Sequence, residues 1–330
     1  MRLIEQVWFK QHPAKWAFLP LLLPLSILFW LLSSTRRFAF QSGLFKSYKV
    51  TKPVIVVGNI GVGGNGKTPV VLHLVELLRS LGLNPGVISR GYGGNAPHYP
   101  YALAKGESAT IVGDEPKLLR DRLDCPVVIG SDRNEAIKLL SEQGIDLILS
   151  DDGLQHYKMA RDYEVVVLDA TRKLGNGWLL PAGPLREGAW RLNKVNSIVE
   201  NGPKGSSSMS ITATAWVNAK THKRKPLNYF DGKKLHAVAG IGNPQRFFST
   251  LDDLNVEHVD HVFVDHHHFI KSDLKLADGF SDQLVMTEKD WVKCAEFADE
   301  SMWYLEISAC LDDQLESKLL KDLTALVKAS

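Results

Sequence analysis

The stretch PVIVVGNIGVGGNGKTPV, Pro53 to Val70, decides the fold. Its first half, Pro53-Val54-Ile55-Val56-Val57, is a β-branched apolar run of the kind that forms a buried parallel strand. Its second half leads into Val70 to Arg79, where apolar residues recur at helical spacing. Between them, Gly61-Val62-Gly63-Gly64-Asn65-Gly66-Lys67-Thr68 satisfies G-x-x-x-x-G-K-[ST] at every fixed position. Glycines let consecutive backbone N–H groups turn inward, and no Cβ blocks an approaching phosphate. The helix N-terminus adds partial positive charge. Lys67 is placed to reach the β- and γ-phosphates, and the Thr68 hydroxyl to ligate Mg²⁺. The loop is read as a nucleoside triphosphate site.

The rest of the chain agrees. At 330 residues it is long enough for two domains with their own cores. A net charge of +2 gives no global field that would call for a nucleic-acid partner, and nothing implies an obligate protein partner. Cys125, Cys294 and Cys310 are scattered without CxxC spacing, which argues against a disulfide framework and suits a reducing compartment.

The N-terminus departs from this pattern. Trp16 to Thr35 carries no charge, about the length needed to cross a hydrocarbon core. Tryptophans near both ends suit the membrane–water boundary, and Arg36-Arg37 follow directly. A cleaved secretory signal is disfavoured by the long leading segment, by Glu5 and by the lack of a small-residue cleavage site. The expectation is membrane attachment. Pro20, Pro24 and two basic flanks leave spanning and interfacial placement both open.

Downstream, strand-like runs at Pro85–Ser89, Cys125–Ile129, Asp146–Ser150 and Val165–Asp169 alternate with helical segments. This βαβ pattern implies a mainly parallel α/β sheet covered on both faces. A linker at Asn201–Ser208 and partial alternation from Ile211 to Val217 suggest a two-stranded excursion that closes near Leu227–Phe230. Strand–helix alternation then resumes from Leu235. The expected boundaries are a membrane-associated segment at 1–37, a P-loop kinase domain at 38–205, a two-stranded linker at 206–232 and a smaller C-terminal α/β domain at 233–330.

Three polar clusters carry candidate chemistry. Asp151 and Asp152 end an apolar strand, where carboxylates facing a phosphate loop hold Mg²⁺; spacing does not choose between them. Asp114, in Gly113-Asp114-Glu115-Pro116, fits either a helix N-cap or a general base for an attacking hydroxyl. Five of the eleven histidines lie between His258 and His268. Three consecutive side chains on an extended segment cannot all face one metal, so zinc fits poorly. A histidine sharing a proton with a carboxylate such as Asp114 fits better.

Seven motifs then appear in order: GNIGVGGNGKTPV, SRGYGG (Ser89–Gly94), GDEP (Gly113–Pro116), DDGLQH (Asp151–His156), PAGPLRE (Pro181–Glu187), FVDHHHF (Phe263–Phe269) and TEKDWVK (Thr287–Lys293). Taken together, the chain resembles the tetraacyldisaccharide 4′-kinase family over essentially its whole length. Val264 stands where proline is common, and Gly93-Gly94-Asn95 is less basic than in many relatives. The resemblance implies transfer of the ATP γ-phosphate to the 4′-hydroxyl of a tetraacyldisaccharide 1-phosphate, giving lipid IVA. It implies two α/β/α domains with a two-stranded linker and substrate between them, and a seat on the cytoplasmic face of the inner membrane. By matching motif, Lys67 and Asp114 are catalytic, and Asp114 pairs with His266 or His267, His266 being preferred. Thr68, Asp151 and Asp152 belong to the metal site. Arg90, Tyr92, Glu115, Gln155, His156, Arg186, Glu187 and His267 line the substrate cleft, while Glu288, Lys289 and Asp290 act as local supports.

Overall fold

A computed structural model describes residues 3–10, 12–275 and 283–328. The chain divides into two compact units. The first comprises Met1–Ile88, Asp132–Ser210 and Leu311–Ser330, and the second Ser89–Ser131 and Ile211–Cys310.

The first unit is built on the strand at Val54–Gly58, every residue of which is buried. It lies between parallel neighbours Leu147–Asp151 and Tyr163–Asp169. Pro85–Ser89 extends the sheet beyond the former, and Ser197–Asn201 beyond the latter, both parallel. Strands buried on both faces need no alternation, which explains the unbroken Val/Ile runs. The helix Lys67–Ser80 buries Val70, Val71, Leu74, Val75 and Leu78. Register sets the chemistry: Val57 pairs with Asp151, so the carboxylate pair emerges beside the glycine loop.

The N-terminal helix Lys15–Gln41 runs through Pro20 and Pro24 and has a mean hydropathy of 2.0 in its most apolar window. Ser26 is its one buried residue. The Ser26 hydroxyl donates to the Leu179 carbonyl at 2.9 Å and accepts from the Ala182 N–H at 2.9 Å. This side chain fastens the helix to the first unit.

The second unit has strands Glu257–Val262, Lys234–Ala239, Leu284–Thr287 and Met302–Leu311 in that order, all parallel. Period-two alternation divides its side chains between two cores. Val217, Val238, Met286 and Tyr304 join one cluster, and Trp216, Ala237, Val285 and Trp303 the other. The sheet is therefore covered on both faces, as expected for an α/β fold.

Three boundaries differ from the sequence expectation, one being that Leu311–Ser330 belongs to the first unit and not to the C-terminal domain. Residues 89–131, placed there with the nucleotide-binding region, cluster with the C-terminal strands because Leu118 shares a core with Trp291, Val292 and Met302. The long strand Met209–Asn218 has Met302–Leu311 as its principal neighbour, and Arg224–Lys225 adds only a two-residue antiparallel pairing. Leu227–Phe230 is a 3-10 helix whose Phe230 packs against Trp216 and Trp303.

Candidate active site

In the first unit the glycine loop is held from beneath and from the side. Asn201 Nδ2 donates to the Asn65 carbonyl at 3.0 Å. The Val62 N–H donates to the Pro184 carbonyl at 2.9 Å, and the Arg186 N–H to the Ile60 carbonyl at 2.7 Å. The PAGPLRE segment thus runs along the loop as a brace. Gly66, at φ +90°, is the residue before the helix, and a Cβ there would lie 2.5 Å from the Asn201 amide. Only glycine meets both demands.

Lys67 opens the helix, and its Nζ stands 3.2 Å from Asp152 Oδ1. Arg186 reaches the same carboxylate at 3.3 Å. Burial opposes ionisation of Asp152, but the two cations outweigh it and hold its pKa below the usual carboxylate range. Asp152 also adopts φ 49°, a left-handed conformation uncommon outside glycine. Asp151 is 1% exposed, and its carbonyl accepts from Arg133 Nη2 at 3.0 Å. Asp151 ends its strand, Asp152 follows it, and Thr68 is the second residue of the helix Lys67–Ser80, so the residue types next to the loop offer oxygen donors. That set fits Mg²⁺, which takes one or two carboxylates and completes its shell with phosphate and water.

Gln155 and Glu187 lie deeper. Gln155 Nε2 donates to the Asn59 carbonyl at 3.1 Å and to Glu187, which is 5% exposed. Glu187 also accepts from the Tyr157 hydroxyl and pairs with Arg191. These contacts describe a scaffold under the loop. His156 gives its carbonyl to Arg161.

The second unit holds the Asp–His pair. His266 Nδ1 lies 3.0 Å from Asp114 Oδ2, with the carboxylate 14% and the imidazole 35% exposed. His266 sits at φ 59°, a backbone setting that turns its ring away from that of its neighbour. His267 instead meets Asp273 at 2.9 Å and packs between Phe263 and Phe269, each 4.8 Å away. Of the two histidines left open by the sequence, His266 is the one at Asp114. The N-cap role weighed for Asp114 does not apply: Gly113 precedes the helix Asp114–Arg122, and Asp114 is its first residue. Its charge still benefits from the helix N-terminus. The exposed Tyr92 ring stands edge-on to His266 at 5.5 Å, and Arg90, two residues earlier in the chain, is also exposed. A cavity of about 300 Å³ borders Asp114, lined by Glu107, Ser108, Thr110, Lys117 and Lys293 among others.

Lys289 belongs to this neighbourhood more closely than its reading as a local support implied. Its ammonium is 3.0 Å from Glu115 Oε1. Burial disfavours the charge, but Glu115, Asp265 and Asp114 outweigh it and raise the lysine pKa. The signal available was its place in TEKDWVK, at the start of a helix.

A glycine loop on a parallel strand, with its lysine against a strand-end carboxylate, defines a P-loop nucleotide-binding protein. The sequence pattern of the family described as Tetraacyldisaccharide-1-P 4'-kinase matches residues 18–324. The chain belongs to that family. A tetraacyldisaccharide 4'-kinase of Colwellia psychrerythraea is 51% identical, spanning 100% of this chain and 99% of that protein. One from Vibrio cholerae is 44% identical over 99% and 98% of the two chains. A crystal structure of LpxK from Aquifex aeolicus in complex with ATP superposes with a TM-score of 0.76 at 26% identity, covering 92% of this chain and 98% of the other.

Proposed function

We propose that this chain transfers the γ-phosphate of ATP to the 4′-hydroxyl of a tetraacyldisaccharide 1-phosphate, yielding lipid IVA at the cytoplasmic face of the inner membrane. The observation that carries this reading is full-length similarity to named tetraacyldisaccharide 4'-kinases, at 51% identity for the Colwellia protein. The chemistry of the residues supports it.

Phosphoryl transfer asks a protein for positioning and charge neutralisation more than for covalent chemistry. Residues 61–68 cradle the phosphate chain with backbone N–H groups, and Lys67 exchanges Asp152 for the terminal phosphates when ATP binds. Thr68 with Asp151 and Asp152 would hold Mg²⁺, which supplies positive charge to the phosphate oxygens. Arg186, already at Asp152, keeps that carboxylate ionised. Asp114 accepts the proton of the acceptor hydroxyl at a carboxylate oxygen, and His266 orients it through Nδ1. Arg90, Tyr92 and Glu115 address the disaccharide headgroup.

The acceptor carries four acyl chains and stays in the bilayer. The apolar helix Lys15–Gln41 keeps the enzyme at the surface where that acceptor is found. Basic residues flanking it favour anionic headgroups.

Incubating the purified chain with γ-labelled ATP and the disaccharide lipid in detergent, with and without Mg²⁺, tests the proposal. Magnesium-dependent label in the lipid is the expected result. Free phosphate with an unlabelled lipid would instead mark a nucleotide-hydrolysing switch, and ATP-independent lipid cleavage a hydrolase.

A further inference from the structure

The turn that follows the strand Tyr163–Asp169 brings a second cation to the nucleotide loop. Gly58 pairs with Val166, so the chain beyond Asp169 continues alongside residues 61–66. Asp169 shapes this turn: its Oδ1 accepts the N–H groups of Thr171 and Arg172, each at 2.9 Å, and its carbonyl accepts from Lys173 at 2.7 Å. Arg172 leaves the turn pointing at the loop. A Cβ built on Gly63 would lie 3.3 Å from Arg172 Nη1, so the guanidinium rests against the bare backbone of the loop's third residue.

The other side of that guanidinium meets an aromatic face. Its central carbon lies 5.1 Å from the Phe9 ring centroid. Phe9 ends the short helix Leu3–Phe9, which is itself docked on the first unit. Val7 of that helix is 2% exposed, and Trp8 Nε1 donates to the Pro181 carbonyl at 3.1 Å. Gly175 admits the helix end, since a Cβ there would sit 2.7 Å from the Trp8 carbonyl. Among the described residues Arg172 forms no ion pair, so its charge is directed at no carboxylate.

A planar guanidinium with five donors matches a phosphate better than any other side chain. Phosphoryl-transfer sites gain from an arginine provided within the same chain, because charge spreads over the equatorial oxygens in the transition state. The geometry points to Arg172 as a residue contributed in cis to the glycine loop to bind the terminal phosphate of the triphosphate, with Phe9 as the positioning residue that holds it there. The inference rests on the loop's use of ATP. It gives the N-terminal helix Leu3–Phe9 a direct tie to nucleotide affinity.

The test is calorimetric titration of the full-length protein in detergent with a non-hydrolysable ATP analogue and, separately, with ADP. Arg172→Ala should weaken the analogue by about tenfold or more, as loss of a charge-assisted bond implies, and weaken ADP much less. Arg172→Lys should recover part of the loss, since a point charge replaces the fork. Phe9→Ala should weaken the analogue by a few-fold while the thermal midpoint without nucleotide stays within about 2 °C of wild type. Equal loss for analogue and ADP, or no loss for either, overturns the assignment. Should Arg172→Ala fail to fold, Arg172→Gln reads the same ratio. A wild-type chain that binds neither nucleotide sinks the ATP reading itself, a result distinct from failure of the Arg172 assignment.

Discussion

His266 reaches back across 152 residues of chain to place Nδ1 3.0 Å from Asp114 Oδ2. A left-handed backbone at His266 (φ 59°) and a glycine before Asp114 (φ 91°) are what make this pairing possible. The first is uncommon for a residue with a side chain and persists because the surrounding fold holds it, while the second is open to glycine and closed to other residues.

If Asp114 is the base, Asp114→Ala should lower kcat by about 10²–10⁴-fold and leave the KM for the lipid near wild type. His266→Ala, which removes only the orienting partner, should lose less. A pure KM effect in Asp114→Ala would mean that the carboxylate positions the acceptor instead. Steady-state kinetics with both substrates varied decides this.

Lys67 and Asp152 behave as one unit, each being the other's counter-ion at 3.2 Å. Lys67→Ala and Asp152→Asn should each reduce turnover by about 10²-fold or more. The double variant should fall short of the product of the two losses. Strict multiplicativity in the kinetic cycle would show that the pair does not act together.

Gly113 carries a conformational load. It sits at φ +91°, and an added Cβ would come within 2.5 Å of the Tyr92 carbonyl. Gly113→Ala should therefore destabilise the fold by about 1–3 kcal/mol, measured by denaturant titration. Activity should drop further than stability, because Asp114 is the next residue. A neutral substitution would contradict the stated backbone geometry.

Glu288 makes a pH prediction. Burial pushes its pKa up to about 7 from 4.5, against the pull of Arg122, whose Nη1 is 2.9 Å from both carboxylate oxygens. The folded chain thus binds an extra proton between those values. The stability this group contributes is complete below about 4.5 and is lost as pH rises through about 7. Glu288→Gln removes the titration, so the decline in Tm between about pH 5 and 8 should be shallower than in wild type. An unchanged slope would refute the assignment, whatever the absolute Tm of the variant.

Much of this was legible in residue order. The run Val54–Val57 and the glycines after it declare a strand, a loop and a helix because each depends on local sterics and local periodicity. The apolar helix survived Pro20 and Pro24 in the same reading. What escaped depends on distance along the chain. Nothing near Leu118 says that it packs with Trp291, and nothing near Ile211 says that its strand lies beside Met302–Leu311. His266 was preferred from its motif, but that it meets Asp114 while His267 meets Asp273 depends on contacts far along the chain, which spacing does not encode. Arg172 was invisible because its partner, Gly63, has no side chain to match.

The hydrogen bonds of Ser26 bear on how the enzyme meets lipid. They tie the middle of a 27-residue helix to the irregular backbone around Leu179 and Ala182. Hydrocarbon does not tolerate non-helical peptide groups facing it. Threading this segment straight through a bilayer would drag that loop to the midplane or tear it loose. The tether therefore couples the placement of this helix to that of the backbone at Leu179 and Ala182, so that neither moves relative to lipid without the other.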